Sequence, residues 1–219
     1  MSPSVIFDGL RHCALALALL CLLSACGTST VQVEGDFPAP VMEPLPITIG
    51  VWMADEFRNH EFFDEAKTKG KRSWSVQTGK AQTSMWDALL TGMFRSLVYL
   101  DAEPVAGEAT ADVDGILVPR VDELQYAIPA TTNIKVYEVW MRYKFQLLSA
   151  DGDTVAEWTM SSYGKTPTAF LQSDEAAVNL AAVMALRDAG ANFATNFTKV
   201  PAVSDWLQTL DYAPAGPAP

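Results

Sequence analysis

Cysteine is nearly absent from this sequence: Cys13, Cys21 and Cys26 are the only three in 219 residues. From residue 27 onward there is no thiol, which excludes a disulfide framework and any Cys-based metal site. Histidine is as scarce, and past His12 only His60 remains. Positive charge is short too. Fifteen Lys and Arg stand against 26 Asp and Glu, a formal net charge of −11. A bulk charge of that sign disfavours nucleic acid as a partner. The apolar run from Cys13 to Leu23 is too short to cross a hydrocarbon core as a helix. Short catalytic signatures are missing as well, with no H-E-x-x-H, no G-x-S-x-G and no phosphate-cradling glycine loop. Adjacent acids such as Asp55-Glu56 and Asp122-Glu123 are expected on opposite faces of a strand, serving solvation. The chain therefore reads as non-enzymatic, with no cofactor and no metal.

What the N-terminus does contain is an address. Arg11 and His12 precede the apolar run, which has the length of a signal-peptide apolar region. Leu23-Ser24-Ala25-Cys26-Gly27 follows at once. This stretch resembles the lipobox of bacterial lipoproteins: a leucine, two small residues and a cysteine that becomes the new N-terminus. The resemblance implies that residues 1–25 are a signal peptide. It also implies a diacylglycerol on the Cys26 sulfur and a further acyl chain, such as palmitate, on the freed amine. Two membrane signals already give stable anchoring, so three chains on Cys26 hold the protein permanently. Gly27 stands where an Asp would retain an enteric lipoprotein at the inner membrane. The resemblance thus implies the outer membrane, with the domain in the periplasm.

Residues 26–46 read as a lipidated cysteine and a tether, because Pro38, Pro40, Pro44 and Pro46 favour extended backbone. Twenty such residues at ~3.3 Å each reach about 65 Å. Residues 47–210 read as one domain, and 211–219 as an unfolded tail. Ile47, Ile49, Val51 and Met53 share one face of a strand, and a short strand is expected near 73–76. The spacing of Met85, Leu89, Met93 and Leu97, beside Trp86, Leu90 and Phe94, predicts a helix over 80–98. Gly92 inside it costs ~1 kcal/mol relative to Ala and suggests close packing on a sheet. Pro119 places its strand at an edge or a bulge.

The sharpest local prediction is a hairpin around Asp151-Gly152. A two-residue loop pairs Leu147 with Ala156, Phe145 with Trp158 and Tyr143 with Met160. The same register pairs Gln146 with Glu157 and Lys144 with Thr159, and a one-residue slip would mix apolar with polar. A second helix is expected over 174–197, capped by Ser173 and started by Asp174 and Glu175. Its core candidates are Leu180, Val183, Met184 and Ala191, with Phe193 and Phe197 near the end. A short helix over 203–210 would dock Trp206 and Leu207. The sum is an α+β domain: a two-layer sandwich of a mostly antiparallel sheet with two long helices on one face.

This order of elements, over roughly residues 45–200, resembles small periplasmic α/β lipoprotein domains. These are the lipopolysaccharide-assembly lipoprotein, the lipoprotein activators of penicillin-binding proteins and the N-terminal domain of TolB. The resemblance implies work by binding protein partners at the envelope: an accessory or assembly subunit in biogenesis, transport or cell-wall synthesis. The alternative is a periplasmic lipid- or glycan-binding lipoprotein. His60 reads as an ordinary surface residue. Trp140 falls among the polar residues of its strand, beside Glu138 and Arg142, so it is either a protein contact or packed under another element. From Lys67 to Lys80 there are five basic residues, Lys67, Lys69, Lys71, Arg72 and Lys80, and no acid. Residues 101–123 by contrast hold seven acids and one Arg. A basic segment in an acidic protein suits an anionic partner such as lipid phosphates. Reversing Lys69, Lys71 and Arg72 to Glu is expected to weaken a salt-sensitive contact with anionic vesicles, measured by co-sedimentation at low and high salt. Unchanged binding would leave the segment facing solvent only.

Overall fold

A computed structural model of the chain describes residues 28–65, 73–127, 136–166 and 173–210. The signal segment, Cys26, four of the five basic residues and the tail 211–219 lie outside the described residues. The elements in order are β1 (Thr28–Gln32), β2 (Leu45–Val51), α1 (Asp55–Arg58), β3 (Glu61–Asp64), β4 (Ser73–Gln77), α2 (Gly79–Met93), β5 (Phe94–Tyr99), β6 (Gly115–Ala127), β7 (Tyr137–Ser149), β8 (Thr154–Thr166) and α3 (Asp174–Asn196). One 3₁₀ turn, Phe197–Lys199, then leads into α4 (Pro201–Thr209).

Two sheets form, one ordered β5-β2-β6-β7-β8 and one ordered β1-β4-β3. The long ladders β6–β7 and β7–β8 are antiparallel, while β2 runs parallel to both of its neighbours. Alternation decides which face is covered. Tyr137, Val139, Met141, Tyr143, Phe145 and Leu147 of β7 are all buried. Trp86 of α2 and Phe193 of α3 both meet the Phe145 ring, at 5.2 and 4.9 Å between centroids. Two long helices thus cover one face of the sheet, the expected α+β layering, and α4 adds Trp206 and Leu207 to the same core.

The hairpin keeps its predicted register through Leu147–Ala156, but its loop differs. Ser149 N–H bonds to Asp153 O at 2.8 Å, leaving three loop residues, Ala150 to Gly152. Gly152 takes φ +79°, the left-handed position that such a three-residue loop requires. A register shift between Leu147 and Leu148 absorbs the odd residue, so the core pairing survives. Pro119 also lies where a missing donor does no harm. β2 leaves the ladder after Leu117, so among the described residues no strand pairs with β6 on the side that Pro119 faces.

Three expectations are corrected. The first is the tether. Residues 28–32 are strand β1, parallel to β4, and Val31 and Val33 are core. Beyond it the chain runs along α3. Glu34 exchanges two hydrogen bonds with the Asn179 amide, and Asp36 O accepts from Arg187. Alternating Val31 and Val33 carried the strand signal, but the four prolines downstream masked it. Only Gly27 stands between Cys26 and Thr28 at the start of β1, two residue steps or ~7 Å.

The second is the helix over 80–98, which stops at Met93. Phe94 turns extended (φ −121°, ψ 150°) and opens β5, which gives β2 its parallel partner. Gly92 faces Pro40 and not the sheet. The third is the buried face of α3. It is mostly small residues, among them Ala177, Ala181, Ala185 and Ala189, with Val178, Leu186 and Phe193; of the four core candidates Val183 is buried as expected. Leu180 and Met184 are instead 41% and 40% exposed, and Ala191 is exposed as well. The helix turns its alanines inward because its backbone rests on β8. A Cβ on Gly164 would stand 1.9 Å from Ala181 O and 2.4 Å from Ala185 N. Gly164→Ala is therefore expected to cost about 3 kcal/mol of stability by overpacking against backbone. Urea unfolding measures it, and a loss under ~1 kcal/mol would mean that the helix has room to shift.

Candidate functional site

Among the described residues no helix covers the second face of β6, β7 and β8, which collects the side chains that point away from the core. Trp140 of β7 sits there, 40% exposed. The ladder sets Tyr163 of β8 directly opposite, with ring centroids 5.2 Å apart and planes at 39°. The Tyr163 hydroxyl donates to Glu138 Oε1 at 2.7 Å, and this carboxylate raises the phenol pKa. On the other side of Trp140 lie Gln125 and Arg142. Trp140, Arg142, Glu123, Gln125, Met141 and Ser161 frame a shallow depression of about 300 Å³.

A bulge organises this surface. The register of β6 against β7 shifts between Val121 and Glu123, so Asp122 is the extra residue. Both acids then reach one guanidinium, with Arg142 Nε 2.6 Å from Asp122 and Nη2 2.7 Å from Glu123. The expectation that Asp122 and Glu123 point to opposite faces is corrected, because it assumed an unbroken strand. Asp122 chiefly, through its hydrogen bond, raises the Arg142 pKa. Lys144–Glu157 at 3.2 Å continues the row of pairs. The result is an exposed aromatic pair beside ions that are already partnered. Such a patch sheds water at low cost where the rings are, and keeps polar partners at its rim.

Several titratable groups elsewhere in the domain are shifted by burial. Burial raises the pKa of Tyr99 and Tyr143, and burial with the Asp174 carboxylate pushes Tyr137 up to about 12. Burial also lowers the pKa of His60, whose Nδ1 lies 2.8 Å from the Thr78 hydroxyl at the start of α2. Ser162 and Lys165 have the S-x-x-K spacing of some acyl-transfer enzymes. On strand β8 they point to opposite faces, Ser162 buried and Lys165 exposed near Glu138. No cluster of three or more metal-ligating side chains occurs among the described residues.

Of the residues singled out in the sequence, Trp140 lies on the exposed face. Cys26, Lys67, Lys69, Lys71 and Arg72 fall outside the described residues. Lys80 is exposed on the first turn of α2. It lies past the far end of β4, a five-residue strand about 17 Å long that begins at Ser73. Tyr163 is the residue that sequence reasoning passed over. The signal was present, because the register that pairs Phe145 with Trp158, continued along the hairpin, pairs Trp140 with Tyr163.

No family model and no curated protein matches the chain. Among solved structures it is similar to a Xanthomonas campestris protein of the DUF330 family, at 15% identity and a TM-score of 0.48, covering 84% of this chain and 99% of that one. It is also similar to a minor lipoprotein of Acinetobacter baumannii, at 11% identity and a TM-score of 0.38, covering 72% and 94%.

Exposed and core tryptophans should separate by energetics. Trp140→Ala is expected to cost under ~1 kcal/mol of folding stability, while fully buried Trp86→Ala costs about 3–5 kcal/mol. Equal losses in denaturant unfolding would make Trp140 a packing residue and remove it from any contact surface.

Proposed function

We propose that this chain is a lipid-anchored outer-membrane lipoprotein facing the periplasm. In this reading it serves a cell-envelope complex as a non-enzymatic accessory or assembly subunit, through protein–protein contact. The observation that carries the reading is the β6–β7–β8 face, which no described helix covers, with its exposed Trp140–Tyr163 pair. A sheet with one face packed and the other holding paired, exposed aromatics has a surface fitted for a partner.

The geometry of the chain's entry supports the anchored part. β1 and β4 are parallel, with Thr28 beside Ser73. Cys26 and Arg72 are thus tied by covalent geometry to the same end of the domain. Ser29 donates to Glu175 and Tyr137 to Asp174, so the starts of β7 and α3 share that end. Segments 66–72, 128–135 and 167–172 all connect elements there. Together they hold Lys67, Lys69, Lys71, Arg72 and Lys135, with no acid, in a chain of net charge −11. A lipid on Cys26 would bring these cations to the headgroup phosphates. No helix among the described residues is long and apolar enough to cross a membrane. Trp140 lies near the start of β7, so its partner would be met close to the membrane surface.

The test is a photo-cross-linking amino acid placed at position 140 in the living cell, with position 105, an exposed valine, as control. One dominant envelope protein cross-linked from 140 and not from 105 is the expected result. The same diffuse background from both positions would overturn the accessory-subunit reading.

A further inference from the structure

A second concavity lies on the helix side, away from Trp140. It opens between α2, α3 and the segment after β1, with a volume of about 580 Å³. Its walls are Met85 and Leu89 of α2, Gly190 and Ala194 of α3, and Pro38 and Pro40. Small residues on α3 leave the space, and the proline wall keeps it. Pro40 is seated on Gly92, its Cδ 2.6 Å from where a Cβ would stand, and Phe37 packs on the core. Closing the cleft would mean moving a stiff segment held at both sides. The volume falls in the range of small-molecule sites, and the lining is apolar apart from one residue.

That residue is Arg187. Its Nη2 donates to Asp36 O at 3.0 Å, which fixes it at the rim. Among the described residues no carboxylate pairs with it, and most of its five N–H donors remain available. We propose that the cleft binds a single acyl chain whose carboxylate head group pairs with Arg187. An apolar trough with one unneutralised cation at its mouth complements the two parts of a fatty acid, and the guanidinium fork matches a carboxylate. The site stands apart from the Trp140 face, so the two readings fail independently.

The full chain carrying Cys26→Ser, free of its own lipid, is titrated calorimetrically with laurate and with dodecan-1-ol below micelle-forming concentrations. Both are expected to saturate at one molecule per chain, laurate about tenfold tighter through its charged hydrogen bonds. Arg187→Gln should bring laurate down to the alcohol and leave the alcohol unchanged. Ala191→Trp fills the cleft from an exposed lining position and should abolish both. Ala194→Leu is the second variant, and circular dichroism checks the fold of each. The proposal is overturned if neither ligand saturates, if binding survives both cleft-filling variants, or if laurate binds no tighter than the alcohol.

Discussion

The backbone of α3 lies directly on β8 at Gly164, and that contact sets much of the rest. A helix held so close can turn only small side chains to the sheet, so Ala177, Ala181, Ala185 and Ala189 face inward. The larger Leu180 and Met184 are displaced to the outside. The same closeness lets α3 guard the free edge of β8. Asp188 accepts from the Tyr163 N–H at 3.0 Å, and Asn192 donates to Ser161 O at 3.4 Å. An edge strand with such partners does not offer its backbone to another chain. Farther along, α3 carries Phe193 over Phe145 and Trp158, where an aromatic cluster closes the layer with Trp86.

Where sequence was a good guide, the signal was local and strict. The β7–β8 register followed from the turn at Asp151-Gly152 checked by alternation, and it survived the longer loop because any slip would bury Lys144 and Arg142 and expose Phe145. Ser173 capped α3 as expected, accepting from Ala176 N–H at 3.1 Å. Where sequence misled, two periods fitted the same residues. Phe94 and Leu97 continue the helical stripe of α2 and equally suit a strand. The strand wins because β2 needs a parallel neighbour, a requirement that no local window contains. α3 misled differently. Its periodicity offers both an alanine stripe and a Leu180–Met184 stripe, and hydrophobicity alone favours the larger residues. Only the close approach at Gly164, 16 residues before Leu180, selects the smaller ones.

The candidate sites divide in the same way. Trp140 stood out because it breaks the polar pattern of its strand face. Its partner Tyr163 needed the hairpin register carried to the far end of the ladder. The grip of Asp122 and Glu123 on Arg142 was hidden, because a bulge is an insertion that alternation cannot foresee. The apolar cleft was hidden more completely. One wall of it is the proline segment from Phe37 to Pro40, whose composition reads as a free linker until β1 and Val33 are seen to pin it.

That correction to the linker changes what the anchor can mean. A 65 Å tether would let the domain search the periplasm and meet partners at any orientation. A fold that begins two residues after Cys26 leaves almost no such freedom. A lipid attached there would turn the end bearing Thr28 and Ser73 toward the membrane. The Trp140 face is then presented sideways, parallel to the membrane normal and near the bilayer. Pre-orientation of that kind lowers the rotational cost of association, so in the proposed reading a modest aromatic patch would serve between membrane-bound partners where it would be too weak in free solution.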